Sequence, residues 1–255
     1  MGLYVASSGS GPDLVLLHGW GSTAAVWNDV AAHLEPKFRL HCVDLPGHGA
    51  NSKFELLTLD AVTDALAAAL SERVIVCGWS LGGQVALNWA LRHPRQVARL
   101  VLISSTPRFV NGGQWECGLD SAVLDDFARA LSDDCAAALR RFAALEAHGG
   151  AAARTVLRRL RECTVKHGMH AAAALAAGLR ILQNTDLRDR LPLIAQPALI
   201  VHGARDAIIP LAAADYLARA LPRARLEVFE NSAHAPFVTH ARRAARCMAE
   251  FCDER

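Results

Sequence analysis

The feature that most constrains this chain is the run Gly78-Trp79-Ser80-Leu81-Gly82-Gly83, set directly between an apolar stretch at 74–77 and a helical pattern at 84–93. A serine with glycines two residues before and after it, at a strand-to-helix junction, has the makings of a sharp turn. The glycines let strand and helix approach closely, and the hydroxyl stands clear of the sheet's C-terminal edge. The N–H of the next residue, Leu81, then points with the helix N-terminus at charge developing on an attacked carbonyl. A Gly/Ser turn can match the spacing by coincidence; the position between strand and helix makes it informative.

The rest of the chain supplies a frame for that turn. Short apolar or β-branched runs at 14–17, 39–43, 74–77, 100–103, 198–201 and 226–229 alternate with helical patterns at 60–70, 84–93 and 212–220, and Pro94 closes the second of these helices. Such alternation predicts an α/β fold, a mostly parallel sheet with helices on both faces. Residues 107–189 break the rhythm, with helical patterns at 123–131, 136–147 and 152–163 and no strand. The expected organisation is a core of residues 1–106 and 190–255, with 107–189 inserted as a helical cap over the mouth of a pocket.

With 52% hydrophobic residues among 255, a large buried core is available. A formal net charge of +2 is too small to argue for nucleic acid. The N-terminal stretch lacks signal-peptide character, and no apolar segment approaches the roughly 20 residues that cross a bilayer. The seven cysteines are odd in number and form no C-x-x-C pair, which argues against a disulfide framework or a zinc site. A cytoplasmic monomer without metal or organic cofactor, without nucleic acid and without membrane is the expectation.

A nucleophilic serine needs a base, a group to orient the base, and donors for the oxyanion. His18-Gly19-Trp20-Gly21 ends the first long apolar run, and a glycine-rich loop there offers the N–H of Trp20 as a second donor beside that of Leu81. The base should follow the serine and the acid in chain order. His234, in Ala233-His234-Ala235-Pro236-Phe237, lies just past the last strand. His18 precedes the serine and reads as a buttress of the oxyanion loop, and His48 and His202 read as hydrogen-bonded loop histidines. Asp206, in the loop after the penultimate strand, is the orienting acid. Asp215 and Glu230 read as solvated charges and Asp44 as a structural turn.

With these residues placed, the chain resembles the pimeloyl–acyl-carrier-protein methyl ester esterases of biotin synthesis, within the α/β-hydrolase superfamily. The resemblance rests on His18-Gly19-Trp20-Gly21, Val43-Asp44-Leu45-Pro46-Gly47, Gly78-Trp79-Ser80-Leu81-Gly82-Gly83, Leu131-Ser132-Asp133-Asp134, Arg141-Phe142, Thr185-Asp186-Leu187-Arg188 and Ala233-His234-Ala235-Pro236-Phe237. It implies an α/β-hydrolase fold and a substrate carried on acyl-carrier protein. It further implies that Trp20, Ser80, Leu81, His234 and the stretch Phe142, Ala143, Ala144, Leu145, Glu146 contact the substrate. The family pattern has glutamine where this chain has Glu146. Arg141, Arg154 and Arg158 match family positions for carrier docking; an arginine expected at 137 is Ala137 here, with Arg140 nearby as a replacement. Arg154 and Arg158 are one helical turn apart with Arg161 close to their face, a stripe suited to an acidic carrier or, more plainly, a solvated helix face.

Two other readings fit parts of the pattern. A broad esterase or lactonase for carrier-free esters would use the same triad and ignore Arg154 and Arg158. A ligand-binding protein that kept the hydrolase shape would need no triad at all. Enzymes of this fold with an aspartate nucleophile are set aside by Ser80.

Overall fold

The computed structural model describes residues 3–54, 58–70, 72–164 and 169–254, with side chains from 172 in the last segment. Met1 and Gly2 of the N-terminal stretch, and residues 165–168 of the expected cap, lie outside them. In chain order the elements are β1 Ala6–Gly9, β2 Asp13–Leu17, α1 Asn28–Leu34, β3 Arg39–Val43, α2 Leu59–Ala69, β4 Val74–Trp79, α3 Leu81–Arg92 and β5 Val97–Ile103. Then come α4 Ser121–Asp133, α5 Cys135–Ala147, α6 Ala153–Glu162, α7 Met169–Asn184, β6 Ala198–Gly203, α8 Leu211–Ala220, β7 Ala224–Phe229, α9 Pro236–Thr239 and α10 Ala241–Asp253.

The strands form one seven-stranded sheet in the order β1-β3-β2-β4-β5-β6-β7, parallel except for β1. The inner strands are buried on both faces, and their apolar residues divide by the two-residue period of a strand. Val15, Leu17, Val76, Leu100 and Leu102 join one core with α2, α3 and α8. Leu14, Leu16, Cys77, Val101 and Ile103 join the other with α1 and α10. After β2 the chain crosses outward to β3 and then returns to place β4 on the other side of β2. The crevice at the carboxyl ends of β2 and β4 is therefore the topological switch point, where open α/β sheets bind their ligands.

Four helices, α4 to α7, lie between β5 and β6. Asp120 caps α4 by accepting from Ala122 N, and Asp134 ends α4 and caps α5 by accepting from Ala137 N, each at 2.9 Å. The two chain crossings meet: Leu187 N donates to Pro107 O, and Asp186 is held by Arg108 and Arg188.

Candidate active site

Ser80 is the single residue between β4 and α3, with φ 55° and ψ −116°. A side-chain-bearing residue held there costs about 1–3 kcal/mol, and its neighbours must enforce it. Ser80 N donates to Ile103 O at 3.0 Å, and Ser80 O accepts from Gly83 N and Ser105 Oγ, each at 2.9 Å. Glycine is required on both sides for closeness. A Cβ at 78 would fall 2.1 Å from Gly82 O, and one at 82 would fall 2.4 Å from Leu17 O.

Asp206 follows β6 and His234 follows β7, which brings both loops to the same sheet edge as Ser80. His234 Nδ1 lies 2.8 Å from Asp206 Oδ2, and neither side chain has exposed surface. Burial works to raise the Asp206 pKa. The charge and hydrogen bond of His234, the charge of His202 and the Ile209 N–H outweigh it and hold the carboxyl below its ordinary value. Asp206 Oδ1 accepts from Ile208 N and Ile209 N at 2.9 and 3.0 Å. An ionised carboxylate can only accept, so the His234 proton sits on Nδ1 and the lone pair is on Nε2. That nitrogen is buried and has no hydrogen-bond partner. Ser80 Oγ and His234 Nε2 are not hydrogen-bonded here; such contacts tighten when substrate is bound.

The His234 backbone is fixed from two directions. Its carbonyl accepts from Trp79 Nε1 at 2.9 Å, and its N–H donates to Glu146 O at 3.2 Å. Trp79, the residue before Ser80, thus ties the turn to the histidine loop. The sequence gives no signal for this, because the partners are 155 positions apart.

Trp20 and Leu81 are buried, and among the described residues neither N–H donates to a protein acceptor. The Trp20 ring meets Phe142 edge-on at 4.7 Å and its Nε1 donates to Leu175 O at 2.8 Å. Helix α5 turns the stretch 142–146 to two sides. Phe142, Ala143 and Glu146 face inward, where they border a small space with Gly21 and Ser22 of the loop after β2. Ala144 and Leu145 line an outer groove of about 410 Å³ with Phe127, Arg141 and His148.

Glu146 is buried, and its Oε1 has no partner. Burial, reinforced by the charge of Asp206, pushes its pKa well above the ordinary carboxylate value. That shift favours the protonated form, whose one donor and one acceptor oxygen are the hydrogen-bonding inventory closest to the amide of a glutamine.

His18, His48, His202 and Asp44 are each tied to nearby backbone groups. His18 is buried, accepts from Leu45 N through Nε2 and bonds Gly19 O through Nδ1; burial first, then His48, lower its pKa to about 3. With Nε2 accepting, Nδ1 carries the proton. His18 thus holds the carbonyl of the peptide whose N–H belongs to Trp20. His48 Nδ1 pairs with Pro46 O, and His202 Nε2 with Ile209 O. Asp44 accepts from Ala24 N and Ala50 N, Asp215 lies on α8, and Glu230 is exposed.

The arginines fall into two places. Arg141 lies over the Phe127 ring at 5.0 Å in the outer groove of α4 and α5. Arg154, Arg158 and Arg161 line a second groove on α6 with Leu157 and Glu162. Arg140 lies 3.9 Å from Asp134. Among the described residues no helix is long and apolar enough to cross a membrane.

Comparison with known proteins follows the geometry. Residues 12–241 match the family model described as the alpha/beta hydrolase fold. A pimeloyl–acyl-carrier-protein methyl ester esterase from Nitrosomonas europaea is 43% identical over 245 residues, covering 96% of this chain and 97% of that one. One of the same name from Aromatoleum aromaticum is 46% identical, covering 90% of this chain and 93% of its own length. Among solved structures, an esterase from Exiguobacterium antarcticum superposes with a TM-score of 0.88 at 24% identity, covering 99% of this chain and 96% of that one, which bears on the fold alone.

Proposed function

Because the chain belongs to the α/β-hydrolase fold family and, within it, to the pimeloyl–acyl-carrier-protein methyl ester esterases, we propose that it is a serine carboxylesterase that hydrolyses the methyl ester of pimeloyl–acyl-carrier protein to methanol and the free acid, in biotin synthesis. The observation that carries this reading is the buried, unpartnered Nε2 of His234, oriented from the far side of its ring by Asp206, at the sheet edge that also carries the strained Ser80.

The chemistry follows from that tautomer. Nε2 takes the Ser80 proton as Oγ bonds to the ester carbonyl carbon, and Asp206 steadies the imidazolium that forms. The carbonyl oxygen becomes an oxyanion held by the N–H groups of Trp20 and Leu81. The bond to the methoxy oxygen breaks, His234 returns the proton to it, and methanol leaves. Water then attacks the acyl–Ser80 ester by the same route, releasing the carboxylic acid and restoring the hydroxyl. Every proton is carried by His234, so the residues suffice without a metal.

Residues 107–189 act as the cap on a core of 1–106 and 190–255. Phe142, Ala143 and Glu146 form the substrate wall beside Trp20, while Ala144 and Leu145 belong to the outer groove through which a carrier-bound chain approaches. Arg141, Arg154 and Arg158 supply positive charge for the acidic carrier, and the site of action is the cytoplasm, with the protein as a monomer. Exposed charges of this kind act on encounter more than on the bound state, and salt screens them beyond about 8–10 Å.

The test compares pimeloyl–acyl-carrier-protein methyl ester with a free short-chain methyl ester, for wild type and Arg154→Ala/Arg158→Ala. The expected result is a wild-type preference for the carrier substrate that weakens as salt rises and is lost in the variant at low salt. Equal rates on both substrates in both proteins would leave a general esterase and remove the docking role.

A further inference from the structure

We infer that Gly178, in the middle of cap helix α7, is a positioning residue for the oxyanion loop: the absence of its side chain seats the Trp20 indole against α7 and so fixes the two N–H groups that would receive the oxyanion. The inference rests on the reading of Trp20 and Leu81 as the donors.

Gly178 is buried within the 16-residue helix α7, where glycine weakens the helix and alanine is the residue intrinsic propensity favours. The neighbours Ala172, Ala173, Ala174, Ala176 and Ala177 follow that preference and Gly178 departs from it. The reason is in the contacts. A Cβ at 178 would lie 2.7 Å from Trp20 Cδ1, 3.1 Å from Trp20 Nε1 and 3.6 Å from Leu81 Cδ2. The indole N–H meanwhile donates to Leu175 O, one turn earlier on the same face of α7, at 2.8 Å. A helix carbonyl is normally overhung by the side chain three residues on, and at this point nothing overhangs it.

One missing methyl group therefore serves both donor residues. The Trp20 ring is pinned between α7 and the Phe142 edge at 4.7 Å, and a rigid two-torsion side chain so pinned leaves its own backbone little freedom. Leu81, the first residue of α3, packs at the same point. Adding a methyl at 178 must lift the indole away from Leu175 O, tilting the Trp20 peptide, and crowd Leu81. The cap helix is thus part of the reaction centre's scaffold as well as a cover.

The experiment measures kcat and KM on p-nitrophenyl butyrate, the dissociation constant of phenylboronic acid, which forms a tetrahedral adduct with the serine, and thermal melting. The proteins are wild type, Gly178→Ala, Trp20→Phe, Trp20→Phe/Gly178→Ala and, as a helix control, Ala176→Gly. Gly178→Ala is expected to lower kcat about tenfold or more, less than the loss of a whole donor. It should weaken boronate binding by a similar factor and leave KM and the melting temperature close to wild type. Phenylalanine keeps a ring carbon near Trp20 Cδ1 but cannot donate to Leu175 O, so its ring is no longer pinned to α7 and the alanine should cost clearly less in the Trp20→Phe background than in wild type. Ala176→Gly should lower the melting temperature without moving kcat.

Unchanged kcat and boronate affinity in Gly178→Ala, or the same loss in both backgrounds, would overturn the inference. If Gly178→Ala does not fold, Trp20→Phe decides: it must lose kcat and boronate affinity together, and wild-type values in it overturn the inference. Turnover surviving in Ser80→Ala would strike the esterase reading itself, and this inference with it.

Discussion

At Glu146 a carboxyl lies buried near a second buried carboxyl, Asp206, and the two move in opposite directions. The Asp206 pKa is lowered because His234, His202 and a backbone N–H outweigh its burial; Glu146 has no comparable partner, and burial with the Asp206 charge pushes its pKa up. The consequence for stability has a definite sign. The folded-state pKa of Glu146 is raised above the unfolded value of about 4.5. Its contribution is therefore fully present below that value and is lost as pH rises through the folded pKa. Glu146→Gln keeps the shape and removes the titration. Its melting temperature should match wild type near pH 4.5 and exceed it by a growing margin as pH rises, the stability difference widening by about 1.4 kcal/mol per pH unit until the folded carboxyl ionises. A difference that stays constant from pH 5 to pH 8 would show that Glu146 ionises freely in the folded protein.

Between elements, the segment carrying α4 to α7 is held at its root by charge. Arg108, at the outgoing crossing, and Arg188, at the returning one, both bond Asp186, at 2.9 and 2.7 Å. The hydrogen bond from Arg188 comes first among the causes that lower the Asp186 pKa to about 2. A lowered carboxylate stabilises above its unfolded value of about 3.8, and that contribution is lost as pH falls through about 2. The carboxylate is partly exposed, so water discounts the pair. Asp186→Asn should cost about 1 kcal/mol at pH 7, a drop of roughly 2–4 °C in melting temperature, with kcat unchanged. An unchanged melting temperature would show that the backbone bond from Leu187 to Pro107 alone closes the crossing.

The same scale shows how much was legible beforehand. The six parallel strands, the placing of Ser80 between β4 and α3, and the loops of Asp206 and His234 follow from period, apolar runs and chain order. β1 was not foreseen. Ala6-Ser7-Ser8-Gly9 is small, polar and exposed throughout, and only pairing with β3 makes it a strand. Helices α1, α7, α9 and α10 also escaped the reading. The stretch 142–146, expected from the resemblance to contact substrate, is contiguous in sequence, and only the 3.6-residue turn of α5 divides it between two surfaces. Partners 155 positions apart, Trp79 with His234 and Trp20 with Leu175, leave no trace in a local pattern.

For the whole molecule, a net charge of +2 hides an uneven surface. The arginines of α6 gather around one groove and Arg141 marks another, while Ser80 sits at the switch point of the sheet. The account joins these into one path: carrier outside, acyl chain along the cap, methyl ester at Ser80. The most direct test is methanol release from pimeloyl–acyl-carrier-protein methyl ester by the purified protein and by Ser80→Ala. The account predicts complete conversion to the free acid by the wild type and a loss of at least about 10³-fold in the variant, with the variant melting at the wild-type temperature. No methanol from the wild type, or equal release by Ser80→Ala, would contradict it.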